Sequence, residues 1–105
     1  MVKLNEEDIA KRLKDLSGWK YENGFLVKNF KFRRFMQGIK FVNSVADLAE
    51  KIGHHPDIHI RWTNVRLEIQ SHDEGGVTSR DFNLVKKIEE MLEKGRQKPE
   101  IQKHL

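Results

Sequence analysis

Four of the five histidines of this 105-residue chain fall between positions 54 and 72. An unperturbed imidazole titrates at about 6.5, so such a cluster can take up and release protons near neutrality. His54 and His55 are adjacent and directly follow a long apolar stretch, and His72 stands at the far end of an alternating one. Glu50 precedes His54 by one helical turn, placed to orient an imidazole or hold it protonated. His59 and His104 are read as ordinary surface histidines. A zinc centre is disfavoured. His55 and His59 have helical ligand spacing, but Pro56 and the alternation around it argue for a strand. Four strand positions span roughly 13 Å, too far for two bonds of about 2 Å to one ion. Cysteine is absent, which excludes disulfides, thiolate metal sites and cysteine nucleophiles.

The elements that must carry these residues are legible from capping and periodicity. Asn5-Glu6-Glu7-Asp8 is a helix start, with Ile9, Leu13 and Leu16 on one face and Gly18 as its end. Trp19 to Glu22 alternates, Asn23-Gly24 is a hairpin turn, and Phe25 to Phe32 is the return strand. From Arg33 to Ile52 the period becomes helical. Phe35, Ile39, Val42, Ala46 and Ala49 form one stripe, widened by Met36, Phe41, Val45, Leu48 and Ile52. A helix apolar over so much of its girth is central or lies at a subunit interface. Gly53 stops it and Pro56 prevents a restart.

Ile58, Ile60 and Trp62, then Val65, Leu67 and Ile69, alternate with polar residues as two strands joined at Thr63-Asn64. With Trp62 opposite Val65, this register sets Ile60 against Leu67, Ile58 against Ile69 and His55 against His72. Thr78-Ser79-Arg80-Asp81 is a capping box with Asp in place of Glu or Gln, so Asp81 is read first as a helix cap. Phe82, Val85, Ile88 and Leu92 face inward on the last helix, Gly95 and Pro99 close it, and the tail to Leu105 is expected to fray. The order α-β-β-α-β-β-α predicts an α+β fold: one four-stranded antiparallel sheet with helices on one face. One domain spans residues 1–105.

Composition narrows the function classes. Hydrophobic residues make up 37% and charged residues 34%, in periodic blocks, as in a folded soluble domain. Lys and Arg number 20 against 16 Asp and Glu, for a net charge of +4. Only Lys28 to Lys40 is basic without a balancing acid, and elsewhere the signs are mixed, so a nucleic-acid partner is disfavoured. No apolar run is long enough to span a bilayer and the opening residues lack a signal-peptide core, so a cytoplasmic address without membrane contact is expected. Gly75-Gly76 lacks the surroundings of a phosphate loop.

The pattern Glu50-(three residues)-His54-His55-Pro56-(five residues)-Trp62-(nine residues)-His72-(eight residues)-Asp81 resembles the signature of the pterin-4a-carbinolamine dehydratase family. Trp19 after a glycine, and the order of elements, extend the likeness over most of the chain. The resemblance implies dehydration of 4a-hydroxytetrahydropterin to quinonoid dihydropterin, a step of tetrahydropterin recycling, with no metal or redox cofactor. It implies a homodimer or homotetramer. His54 would be the main acid/base toward the 4a-hydroxyl, His72 a second acid/base across the pterin, and His55 chiefly a binding group. Glu50 would tune the histidines, Trp19 would wall the site, and Pro56 and Trp62 complete the substrate-binding motif. Two positions depart from the pattern. Gly53 stands where other members often carry Asp, removing an expected carboxylate partner for an imidazole, and Ile58 stands where they often carry an aromatic. The alternative function is a non-catalytic protein-binding or dimerisation module on the same fold, motivated by the apolar girth of the second helix.

Overall fold

The structure, a computed structural model, describes residues 2–94. Its elements run α1 (Glu6–Leu13), β1 (Lys20–Glu22), β2 (Phe25–Lys31), α2 (Phe35–Ile52), β3 (Asp57–Arg61), β4 (Asn64–Ile69) and α3 (Ser79–Glu93). The strands form one antiparallel sheet in the order β1-β2-β4-β3. The expected α+β architecture is therefore present. The stop expected at Gly95 and Pro99, and His104 and the tail, lie outside the described residues.

Local chemistry explains most boundaries. The Asn5 side chain accepts the Asp8 amide and starts α1. Asn23 and Gly24 both have positive φ, 51° and 86°, as a tight primed hairpin turn requires. Gln37 Oε1 accepts the backbone amides of Arg33 and Arg34 and so starts α2. Thr78 and Asp81 make the reciprocal capping box that starts α3.

One face of the sheet and one stripe of each helix meet in a single core. Leu26 and Phe30 of β2 and Val65, Leu67 and Ile69 of β4 pack with Ile9, Phe41, Val45 and the inner face of α3. Burying each such side chain stabilises the fold by about 1.5–3 kcal/mol. The opposite face is ionic. Arg66 bonds Glu68 at 2.8 Å and Glu22 at 3.1 Å, and His59 lies 3.3 Å from Glu68. The Arg66 hydrogen bond holds the Glu68 carboxyl below its ordinary value, and Glu68 and Glu22 hold the guanidinium above its own.

Four expectations need correction. Helix α1 stops at Leu13, because the chain tightens into three-residue turns, with Lys14 N donating to Lys11 O and Leu16 N to Leu13 O. The β3–β4 turn is Trp62-Thr63, so Ile58 faces Leu67 and Ile60 faces Val65, two residues from the expected register. Thr63 is buried and its carbonyl accepts the Phe32 amide, which ties the turn to the end of β2. The inward line of α2 is Gly38, Phe41, Val45 and Ala49, while Phe35 and Met36 are exposed. Gly38 permits this approach: a Cβ there would touch Val65 and Phe32 at 3.4–3.5 Å. Finally, β4 ends at Ile69, and His72 begins a separate 3-10 turn, His72–Glu74.

Candidate active site

The end of α2 sets the first histidine. Gly53 takes the left-handed conformation, φ 69°, and the amides of both Gly53 and His54 return to the Ala49 carbonyl. Asp and Asn are the side-chain-bearing residues that enter this region most readily, which accounts physically for the Gly-for-Asp departure. The chain then swings His54 toward the start of α3. His54 Nε2 lies 2.5 Å from Asp81 Oδ1, with the imidazole only 11% exposed and the carboxylate wholly buried.

Asp81 is doubly employed. Its Oδ2 accepts the Thr78 amide at 2.7 Å and the Ser71 hydroxyl at 2.9 Å. The carboxylate thus caps α3 and holds an imidazole at once. The partner thought missing at position 53 is supplied from α3. With Nε2 engaged by Asp81, Nδ1 is the ring nitrogen that can exchange a proton with a ligand.

His55 turns to a different carboxylate. Its Nε2 lies 2.5 Å from Glu50 Oε2, with side chains 57% and 76% exposed. Continuing the β3–β4 register past Asp57 and Glu68 sets His54 level with Ser71, and His55 level with Gln70 rather than His72. His72 stands next to Ser71, edge-on to Phe25 with ring centroids 5.9 Å apart. The short loop bearing it is closed by the paired backbones of Ser71 and Gly76. Asp73 in that loop bonds Arg80 at 2.6 Å. The Arg80 hydrogen bond holds the Asp73 carboxyl below its ordinary value.

Glu50, His54, His55, His72 and Asp81 therefore gather where α2 ends, β4 ends and α3 begins, with Pro56 directly before β3. Two residues expected at the site lie elsewhere within the chain. Trp62 sits in the turn beyond β3, 73% exposed and with φ 53°. Five strand residues, a rise of roughly 16 Å, separate it from the histidine end. Trp19 is buried against Phe30, and its indole donates to Glu89 at 2.8 Å. Glu89 is eight residues along α3 from Asp81, about 12 Å at 1.5 Å per residue. Lys28 bonds the same Glu89 oxygen at 2.8 Å, so the basic stretch is neutralised at its first residue.

Sequence reasoning missed Ser71 and the Asp73–Arg80 pair. The available signal was the Asp in the capping box, too short for the usual reach of Glu but able to serve a second partner. A groove between α2 and α3, lined by Asp47, Leu48, Lys51, Lys87, Glu90 and Met91 among others, contains no histidine. Among the described residues, no three His, Cys, Asp or Glu side chains could hold a metal ion together, and no helix is long and apolar enough to cross a membrane.

Comparison with known proteins bears on this constellation. Residues 2–91 match the family model described as pterin 4 alpha carbinolamine dehydratase. A protein of Sulfolobus acidocaldarius, provisionally named a pterin-4-alpha-carbinolamine dehydratase, is 45% identical over 87 residues, 83% of this chain and 96% of its own. One of Roseiflexus castenholzii with the same provisional name is 46% identical over 89 residues, 85% of this chain and 96% of its own. The crystal structure of a transcriptional coactivator/pterin dehydratase from Brucella melitensis superposes with a TM-score of 0.78 at 29% identity, covering 83% of this chain and 95% of that one. A pterin dehydratase-like protein identified as a RuBisCO assembly factor in the alpha-carboxysome shares the fold, with a TM-score of 0.58 at 22% identity over 70% of this chain and 87% of that one.

Proposed function

The chain belongs to the pterin 4 alpha carbinolamine dehydratase family, and we propose that it dehydrates a 4a-hydroxytetrahydropterin to the quinonoid dihydropterin by histidine acid/base chemistry. The observation that carries the reading is the buried His54–Asp81 pair beside the loop that bears His72.

The reaction needs one proton delivered and one removed. The N5 lone pair forms the C4a=N5 bond as the C4a–O bond breaks. The departing hydroxyl receives a proton and leaves as water, and N5 loses its own proton. Asp81 receives the Nε2 hydrogen of His54 in both charge states of the ring, so the transferable proton of the imidazolium is the one on Nδ1, which passes to the 4a-hydroxyl and leaves the neutral Nε2–H ring. His72 serves as the second acid/base at N5. His55, exposed and held by Glu50, binds and orients the pterin. Proton exchange with water restores both rings. Acid/base catalysis of this kind accelerates a step by roughly a hundredfold to ten-thousandfold. None of these steps calls on a metal or redox cofactor. In this reading Trp19 and Trp62 act outside the imidazole cluster, Trp19 as an internal tie and Trp62 as surface.

The test is the decay of 4a-hydroxytetrahydropterin absorbance with and without protein. The parent should accelerate it, and a folded His54→Ala, His72→Ala double variant should not. Equal acceleration by both would remove the proposed site. A second reading, self-association or protein binding on the same fold, is favoured by the exposed Phe35 and Met36 on α2 and Ile60 and Trp62 around β3. Its first expected partner is a second copy, as dimer or tetramer. A Phe35→Ser, Met36→Ser variant that sediments like the parent would count against α2 as that surface.

A further inference from the structure

We propose that Ser71 is a positioning residue: its hydroxyl orients the Asp81 carboxylate that receives the Nε2 hydrogen of His54, and joins that pair to the loop that bears His72. For its effect on rate the proposal rests on the dehydratase reading; for its effect on the His54 ring it rests on geometry alone.

The argument is one of hydrogen-bond polarity. Ser71 is wholly buried, and its single hydroxyl proton goes to Asp81 Oδ2 at 2.9 Å. Its oxygen lies 2.8 Å from Thr78 Oγ1 and has no second proton to give, so there Thr78 donates and Ser71 accepts. Thr78 Oγ1 in turn accepts the Arg80 amide at 3.2 Å. Every donor in this chain points toward the carboxylate, as does the Thr78 amide at 2.7 Å. An ionised carboxylate only accepts, so His54 must donate, and the hydrogen resides on Nε2. The carboxylate that holds this hydrogen is itself oriented by buried hydroxyl groups.

Ser71 also adjoins His72 in the chain. Its amide donates to Gly76 O at 3.0 Å, and its carbonyl accepts the Glu74 and Gly76 amides at 3.0 and 3.3 Å. One residue therefore fastens the 71–76 loop by its backbone and the His54 pair by its side chain. Asp73–Arg80 is a second, exposed fastening of the same loop that bypasses Asp81.

The experiment uses the full chain with labelled histidine and reads the two His54 ring nitrogens by NMR, alongside dehydration kinetics. At a pH that leaves the ring neutral, the parent should show the Nε2–H form. Ser71→Ala should move the His54 Nε2–H signal, as Asp81 loses the donor that orients it, and lower kcat about tenfold, the loss of one hydrogen bond to a charged group, with KM nearly unchanged. Ser71→Thr, which keeps the hydroxyl, should restore both. Asp73→Asn, which loosens only the loop, should leave the His54 nitrogens as in the parent. Folding of each variant is checked by its amide spectrum. If folded Ser71→Ala keeps the parental ring nitrogens, the assignment is overturned even though the parent is an active dehydratase. If the parent lacks dehydratase activity but Ser71→Ala moves the Nε2–H signal, the positioning role stands and the dehydratase reading falls.

Discussion

Two imidazole–carboxylate pairs sit side by side in this molecule with the same 2.5 Å separation and opposite surroundings. His54–Asp81 is 11% and 0% exposed, and its carboxylate accepts two further hydrogen bonds. His55–Glu50 is 57% and 76% exposed, with both partners open to water. Distance alone would rank them equal. Water separates them: an exposed pair exchanges its partners for solvent at little cost, whereas a buried carboxylate that loses a donor keeps the desolvation penalty. The buried pair can fix a tautomer and an orientation. The exposed pair can only bias one.

The comparison breaks most sharply at Asp81. Asp81→Asn should lower kcat on the order of a thousandfold or more, because the amide permits the wrong histidine tautomer. It should also lower the unfolding free energy by about 3 kcal/mol, as a buried network loses its charged centre and α3 loses a cap. Urea denaturation and dehydration kinetics check both. If either quantity stayed at its parental value, burial would not be what distinguishes the pairs.

Glu50→Gln should do far less. A stability change within about 0.5 kcal/mol is expected for an exposed ion pair, with the kinetic effect confined to KM. A double-mutant cycle over Glu50 and His55 should give a coupling under about 1 kcal/mol, against a clearly larger coupling over Asp81 and His54.

The smallest effect concerns Asp73. Its folded carboxyl lies below the ordinary value of 3.8 because Arg80 bonds the ionised form. The sign follows: the stabilisation is present above pH 3.8 and is lost as pH falls through the lower folded value. The melting temperature of the parent should exceed that of Asp73→Asn slightly at neutral pH, and the gap should close below pH 3.8. A gap that widened on acidification would contradict the ion pair.

The elements were legible where the chain states its own rules. Asn5, Asn23-Gly24, Gly53 and the Thr78–Asp81 box each meet an identifiable backbone requirement, and the structure uses every one of them. The cluster was legible because Gly53 and Pro56 must end α2 just where the histidines stand. What was illegible depended on contacts across the chain. The β3–β4 register followed from Thr63 bonding Phe32, which no alternation pattern reveals, since a shift of two residues keeps every side chain on its face. Asp81 was readable as a cap but not as a partner of His54, because the capping box accounts for the residue fully within its own helix. Trp62 belongs to the motif by spacing and Trp19 extends the likeness by following a glycine, but the fold carries Trp19 to Glu89 and Trp62 to the surface.

The most direct measurement sets His54→Gln beside His55→Gln in the same dehydration assay. His54→Gln should lower kcat at least a hundredfold, while His55→Gln should keep kcat within a few-fold and raise KM. Equal losses of kcat in the two variants, or the larger loss at His55, would contradict the assignment of the buried imidazole as the one that moves the proton.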